Sequence, residues 1–199
     1  DSFLNLDFNY DKRNQKFQTS SGFISYYSID IPVVSENNTL KNYYNYTNYF
    51  DLYDQNISSL SLMFRMANSI TNDNIKLSER INLPSNKLRG FEAGRVGPRD
   101  GDDFIGGNYA VAINFSSTLP QLLEESQNVD FLFFIDAANV WGVDYDNTLD
   151  DNGSIRSSTG LALDWFTPIG PLNFSLALPI SKKNGDKTET FRFNLGTTF

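Results

Sequence analysis

Nine stretches of this chain alternate apolar and polar residues with a period of two, each bounded by turn-forming residues. Successive side chains of a strand point to opposite faces, so each stretch makes a strand with one apolar and one polar side. The first sets Leu4, Leu6, Phe8 and Tyr10 against Asn5, Asp7 and Asn9, and the second carries Phe23, Tyr27, Ile29 and Ile31 on one side. Between Leu40 and Leu52 aromatics fall on both faces and the orientation stays open. Leu60, Leu62, Phe64 and Met66 then oppose Ser61, Met63, Arg65 and Ala67, and Val111, Ile113 and Phe115 oppose Ala110, Ala112 and Asn114. From Val129 to Trp141, Phe131, Phe133 and Ile135 share a face, which turns Asp130, Phe134 and Asp136 the other way. Ser157 to Thr167, Leu172 to Leu178 and Phe191 to Phe199 complete the set. The expectation is an all-β, antiparallel fold.

Composition narrows what such strands can build. No run of about 18 apolar residues exists, which rules out a transmembrane helix. Tilted strands of about 9 to 11 residues cross a bilayer equally well. A mildly polar mean hydropathy fits that reading, because lumen-facing polar residues dilute the lipid-facing ones. Short turns such as Pro168 to Pro171 alternate with longer polar loops, as at the two rims of an outer-membrane barrel. The pattern favours a transmembrane β-barrel over a soluble β-sandwich or a lipocalin-like barrel. Nine strands is an odd number, whereas single-chain bacterial barrels have an even one. Either one segment is split wrongly or the chain is the C-terminal part of a larger barrel.

The chain has no cysteine and no histidine. Disulfides, thiolate metal sites, Ser-His-Asp catalysis and most zinc hydrolysis are closed off. A net charge of -8 opposes a nucleic-acid partner, which needs a basic stripe. The acidic loop Asp144 to Gly153 invites a calcium reading but puts Leu149 where the turn glycine belongs and Ile155 where the closing glutamate belongs. Asp130, Asp136 and Asp164 lie on neighbouring strands with no pocket to make them a glycosidase pair. Neither an enzyme nor a metal or cofactor site is expected.

One long connection, about residues 70–105, interrupts the strands, and long connections usually carry function. Its centre, Ser85 to Arg99, has too many glycines, with Pro98, to be strand or helix interior. It contains Leu88-Arg89-Gly90-Phe91.

Four pieces, in order, resemble the BamA-type superfamily of outer-membrane insertases: Leu88 to Phe91; Gly106-Gly107-Asn108-Tyr109-Ala110; Phe133 to Trp141; and Ile155 to Phe199. The resemblance implies the last nine strands of a sixteen-stranded barrel in a bacterial outer membrane, preceded in the longer protein by soluble periplasmic domains. It implies that the long loop folds into the lumen, where Arg89 pairs with Asp136 on the barrel wall. Many members carry a second acidic residue where this chain has Asn114, so the charge network is thinner here. The final strand is similar to the family's C-terminal signal, with Phe191, Phe193, Leu195 and a terminal Phe199; Gly196 matches the glycine at which that strand bends inward. The implied activity is insertion of unfolded β-barrel proteins, templated at the seam between first and last strands, without a cofactor and with accessory lipoproteins as partners. A polypeptide-secreting transporter of the same superfamily and a passive porin or adhesin barrel are the alternatives.

Overall fold

The computed structural model describes residues 2–16, 19–34, 38–53, 56–71, 73–119, 128–149, 153–168 and 170–195. Its strands are β1 (Ser2–Asp11), β2 (Gly22–Val34), β3 (Thr39–Phe50), β4 (Ser58–Ser69), β5 (Arg99–Asp100), β6 (Asp103–Phe104), β7 (Tyr109–Thr118), β8 (Val129–Trp141), β9 (Arg156–Thr167), β10 (Gly170–Ser181) and β11 (Phe191–Leu195). Nine of them form a single sheet in the order β1-β2-β3-β4-β7-β8-β9-β10-β11, and β5 and β6 make a small separate hairpin inside the long loop. Every neighbouring pair in the large sheet is antiparallel. The sheet is open: among the described residues β1 pairs only with β2 and β11 only with β10. A closed wall of sixteen strands would need more than the nine that this sheet has among the described residues.

Register puts the apolar side chains of adjacent strands level with one another. Phe133 pairs with Leu161, Leu161 with Leu176 and Leu176 with Phe191, a continuous apolar row across β8 to β11. Leucines, isoleucines and phenylalanines stand exposed on the same face of strand after strand, among them Leu6, Phe64, Ile113, Leu161 and Leu176. In water this would be one large aggregation-prone patch. Against lipid it is the expected outer surface of a barrel wall. The tyrosine-rich β3 follows the same rule once its partner is known. Tyr44 and Tyr46 pair with Phe64 and Leu62 on the outer face, which leaves Tyr43 and Asn45 inside, opposite Arg65 and Met63.

The other face carries mostly small side chains where the long loop lies on it. Ala67, Ala110, Ala112 and Ala138, with Met63 and Val140, form one buried cluster with Ile75, Ile81, Leu83, Leu88, Phe91 and Val96 of the loop. Each large apolar side chain buried in this way contributes about 1.5–3 kcal/mol. The alanines leave the volume that the loop fills. At the loop's return Gly107 lies so close to β8 that a Cβ there would sit 2.3 Å from the Trp141 carbonyl oxygen. Gly107 also exchanges two backbone hydrogen bonds with Ile81, at 2.7 and 3.0 Å. The connection expected over residues 70–105 is therefore a packed layer rather than a free strap, running from the end of β4 to the start of β7.

Candidate functional site

Asn114 on β7 and Asp136 on β8 are register partners on the inner face. The loop brings Arg89 down onto them. The Arg89 guanidinium forks onto the Asp136 carboxylate, Nε to Oδ2 at 2.8 Å and Nη2 to Oδ1 at 2.7 Å, and the Arg89 backbone N–H donates to Oδ2 at 3.0 Å. Asn114 Nδ2 also donates to Oδ1, at 2.8 Å, and to the Lys87 carbonyl at 3.0 Å. The arginine also donates to Ser116 Oγ at 3.2 Å and stacks on the Phe134 ring, 3.6 Å from its centroid. Asp136 is 0% exposed and the Arg89 side chain 15%. A carboxylate so deep is stable only with its charge and lone pairs matched, and the fork geometry does this. Burial lowers the pKa of the neighbouring Lys87 ammonium, with the Asp136 charge pulling the other way.

The rest of the motif has equally local reasons. Gly90 adopts φ +90°, and a Cβ there would stand 3.2 Å from the Ala177 Cβ and 3.3 Å from the Ser158 Cβ, so a larger residue is both strained and crowded. Ser158 Oγ donates to the Arg89 carbonyl. Phe91 is 1% exposed, packed in the cluster under the loop. Leu88, 3% exposed, belongs to the same cluster.

The connection from β10 to β11 runs alongside the motif as a short extra ladder. Glu189 N–H donates to the Gly90 carbonyl at 3.1 Å, Glu92 N–H to the Lys187 carbonyl at 3.0 Å and Lys187 N–H to the Arg95 carbonyl at 3.1 Å. Arg192, facing inward from β11, donates to the carbonyls of Ser85 and Phe91. Two further arginines tie down the rim. Arg80, its side chain 1% exposed, pairs with Asp144, which also accepts the Ile75 N–H at 2.7 Å. Arg156 forks onto Asp186 at 3.0 and 3.1 Å and donates to Asn139 at 2.9 Å.

Leu88, Arg89, Gly90, Phe91, Asn114 and Asp136 thus come together in one place. Phe191, Phe193 and Leu195 do not join them; they line the outer face of β11 at 53%, 48% and 64% exposure. Gly196 and Phe199 lie outside the described residues. Sequence reading passed over Arg80, Arg156 and Arg192. For Arg156 and Arg192 the available signal was charge parity, since in an acidic chain an arginine on the inward side of a strand needs a partner on the inside; Arg80 lies in the loop and carries no such signal. Beside the motif a cavity of about 270 Å3 reaches from Lys87 and Arg89 to Asp130 and Asp164. Across the sheet Asp130, Asp164, Asn173 and Asn194 are successive register partners, a polar row on β8 to β11.

The Omp85 superfamily domain matches the chain over residues 1–199. The outer membrane protein assembly factor BamA of Neorickettsia risticii is 30% identical over 156 residues, which are 76% of this chain and 21% of that protein. Its namesake from Neisseria meningitidis serogroup B is 31% identical over 142 residues, 56% of this chain and 17% of that protein. The crystal structure of BamA from Haemophilus ducreyi lacking POTRA domains 1-3 is similar at a TM-score of 0.87 and 29% identity, covering 97% of this chain and 41% of that one. The chain spans about a fifth of the length of these curated relatives.

Proposed function

The chain belongs to the Omp85 superfamily, and from that premise we propose that it serves in a bacterial outer membrane as wall and inner loop of a β-barrel assembly factor. The observation that carries this reading is the Leu88-Arg89-Gly90-Phe91 loop, seated by Asp136 on the inner face of a sheet whose other face is apolar. Likeness to proteins named outer membrane protein assembly factor BamA supports it. The work is done without nucleotide, cofactor or covalent chemistry. Among the described residues β11 pairs with β10 alone; in the closed barrel its other edge meets the first strand, and where that seam opens it presents N–H and C=O groups to an incoming strand. Clients pair there by β-augmentation and leave as closed barrels. Soluble periplasmic domains precede the wall in the longer polypeptide and deliver clients, with accessory lipoproteins attached.

The test is reconstitution of the full-length protein in phosphatidylethanolamine vesicles with a urea-denatured outer-membrane barrel as client. Client folding, read as a heat-modifiable band, should be faster than in empty vesicles by about tenfold or more, or about 1.4 kcal/mol off the barrier. No acceleration together with steady conductance would overturn the reading in favour of a passive channel. Transport of a client across the vesicle without its insertion would favour the secreting relative.

A further inference from the structure

Arg192 is 9% exposed and sits at the start of the last strand. Its Nη1 donates to the Ser85 carbonyl and its Nη2 to the Phe91 carbonyl. Glu189 neutralises it, accepting from Nε at 2.9 Å and from Nη2 at 2.6 Å. Ser85 and Phe91 flank Leu88, Arg89 and Gly90, so one guanidinium grips both shoulders of the turn whose apex Asp136 holds from the far side. Bonds from a charged donor are about twice as strong as neutral ones. A lysine ammonium, a single point charge, cannot reproduce the fork. Among the described residues β11 pairs only with β10, Phe191 to Leu195 against Leu176 to Leu172.

We infer that Arg192 is a positioning residue that makes the motif loop and the final strand one unit, so that β11 leaves its place beside β10 only when the carbonyls of Ser85 and Phe91 are released. The contact stands whatever the barrel does; its use as a brake on the open edge rests on the assembly reading. The brake acts from inside the wall, on the strand whose outer edge is offered to clients.

Hydrogen exchange on the full-length protein in phospholipid nanodiscs tests the coupling. Arg192→Ala should speed exchange over both 187–195 and 83–92 by about tenfold or more, the size expected for charge-assisted bonds lost without a substitute. Exchange over 109–118 and 129–141 should not change. Arg192→Lys, which keeps the charge, should give an intermediate effect and is the variant to read if Arg192→Ala lowers the yield of folded barrel. Coupling is reciprocal, so Arg89→Ala should also speed exchange over 191–195. Unchanged exchange at 191–195, or a uniform rise over the whole sheet, would overturn the inference. Unmutated protein that fails to accelerate client folding would overturn the assembly reading and leave the coupling in place; acceleration without coupled exchange would overturn the coupling alone.

Discussion

Asp136 receives from Arg89 both the guanidinium fork and the backbone N–H, at 2.7, 2.8 and 3.0 Å. A single buried carboxylate therefore sets where the loop backbone lies and which way its side chain points. Arg89→Ala leaves that carboxylate uncompensated and should weaken loop seating by about 3–5 kcal/mol. Asp136→Arg combined with Arg89→Glu should recover part of the loss. Limited proteolysis within 84–99 measures both, and defects that simply add would show that the two residues act separately.

Asn114 Nδ2 is the other donor to Asp136. Asn114→Asp turns that donor into an acceptor facing an acceptor, at a cost of about 1–3 kcal/mol. The same proteolysis assay should rank it as more harmful than Asn114→Ala, which removes the bond without adding a charge. The reverse order would mean that the carboxylate pair recruits a compensating cation.

Gly90→Ala meets two obstacles, the positive φ and the walls at Ala177 and Ser158. It should destabilise the seated loop by about 1–3 kcal/mol. Adding Ala177→Gly removes one of the two walls and leaves the positive φ, so the double variant should recover less than the full loss. Full recovery would show the backbone conformation to be free of strain.

Asp144 ties the rim of the loop. Its partial burial pushes the carboxyl pKa up, but the Ile75 N–H, Asn108 and Arg80 together outweigh that and hold it below the ordinary carboxylate value. A folded-state value below the unfolded one, about 3.9, means that the stabilisation is complete above that pH. It is lost as pH falls through the folded-state value. Protection factors over 75–83, that is exchange corrected for the intrinsic slowing of amide exchange in acid, should fall on going from pH 6 to pH 3, and Asp144→Asn should flatten that dependence. An unaltered profile in the variant would assign the acid response to another group.

Leu176 stands mid-strand on the outer face, level with Leu161 and Phe191. Leu176→Arg should cost about 2–4 kcal/mol in a bilayer if this level lies near the midplane, whereas Leu176→Phe should be tolerated. Urea titration in lipid vesicles separates the two.

Period-two alternation made most of the fold legible. It placed β8 at Val129–Trp141 and the other strands to within a few residues, because a wall between lipid and lumen imposes its pattern residue by residue. It could not orient β3, where Tyr43 and Tyr44 are both aromatic and only pairing with Arg65 and Phe64 tells inside from outside. Arg89 and Asp136 could be matched through a motif and a face. Arg192 could not, since its targets are backbone carbonyls of Ser85 and Phe91, more than 100 positions away, and a carbonyl has no signature in a sequence. Asp144 stands in an acidic loop whose spacing fails a calcium site and names no other partner. Its role came from a loop arginine 64 positions earlier.

The side chains that seat Arg89 and Phe91 arrive late in the chain. Asp136 lies 47 residues beyond Arg89 and Ser158 lies 69 beyond it, while Arg192 lies 101 beyond Phe91. A polypeptide emerging from its N-terminus presents the motif long before these seats exist, and non-local contacts of this span form slowly. The turn is fully gripped only once β8, β9 and β11 are all in place. An engaged motif is thus a record of arrival: it marks a wall in which β11 has been made and docked beside β10.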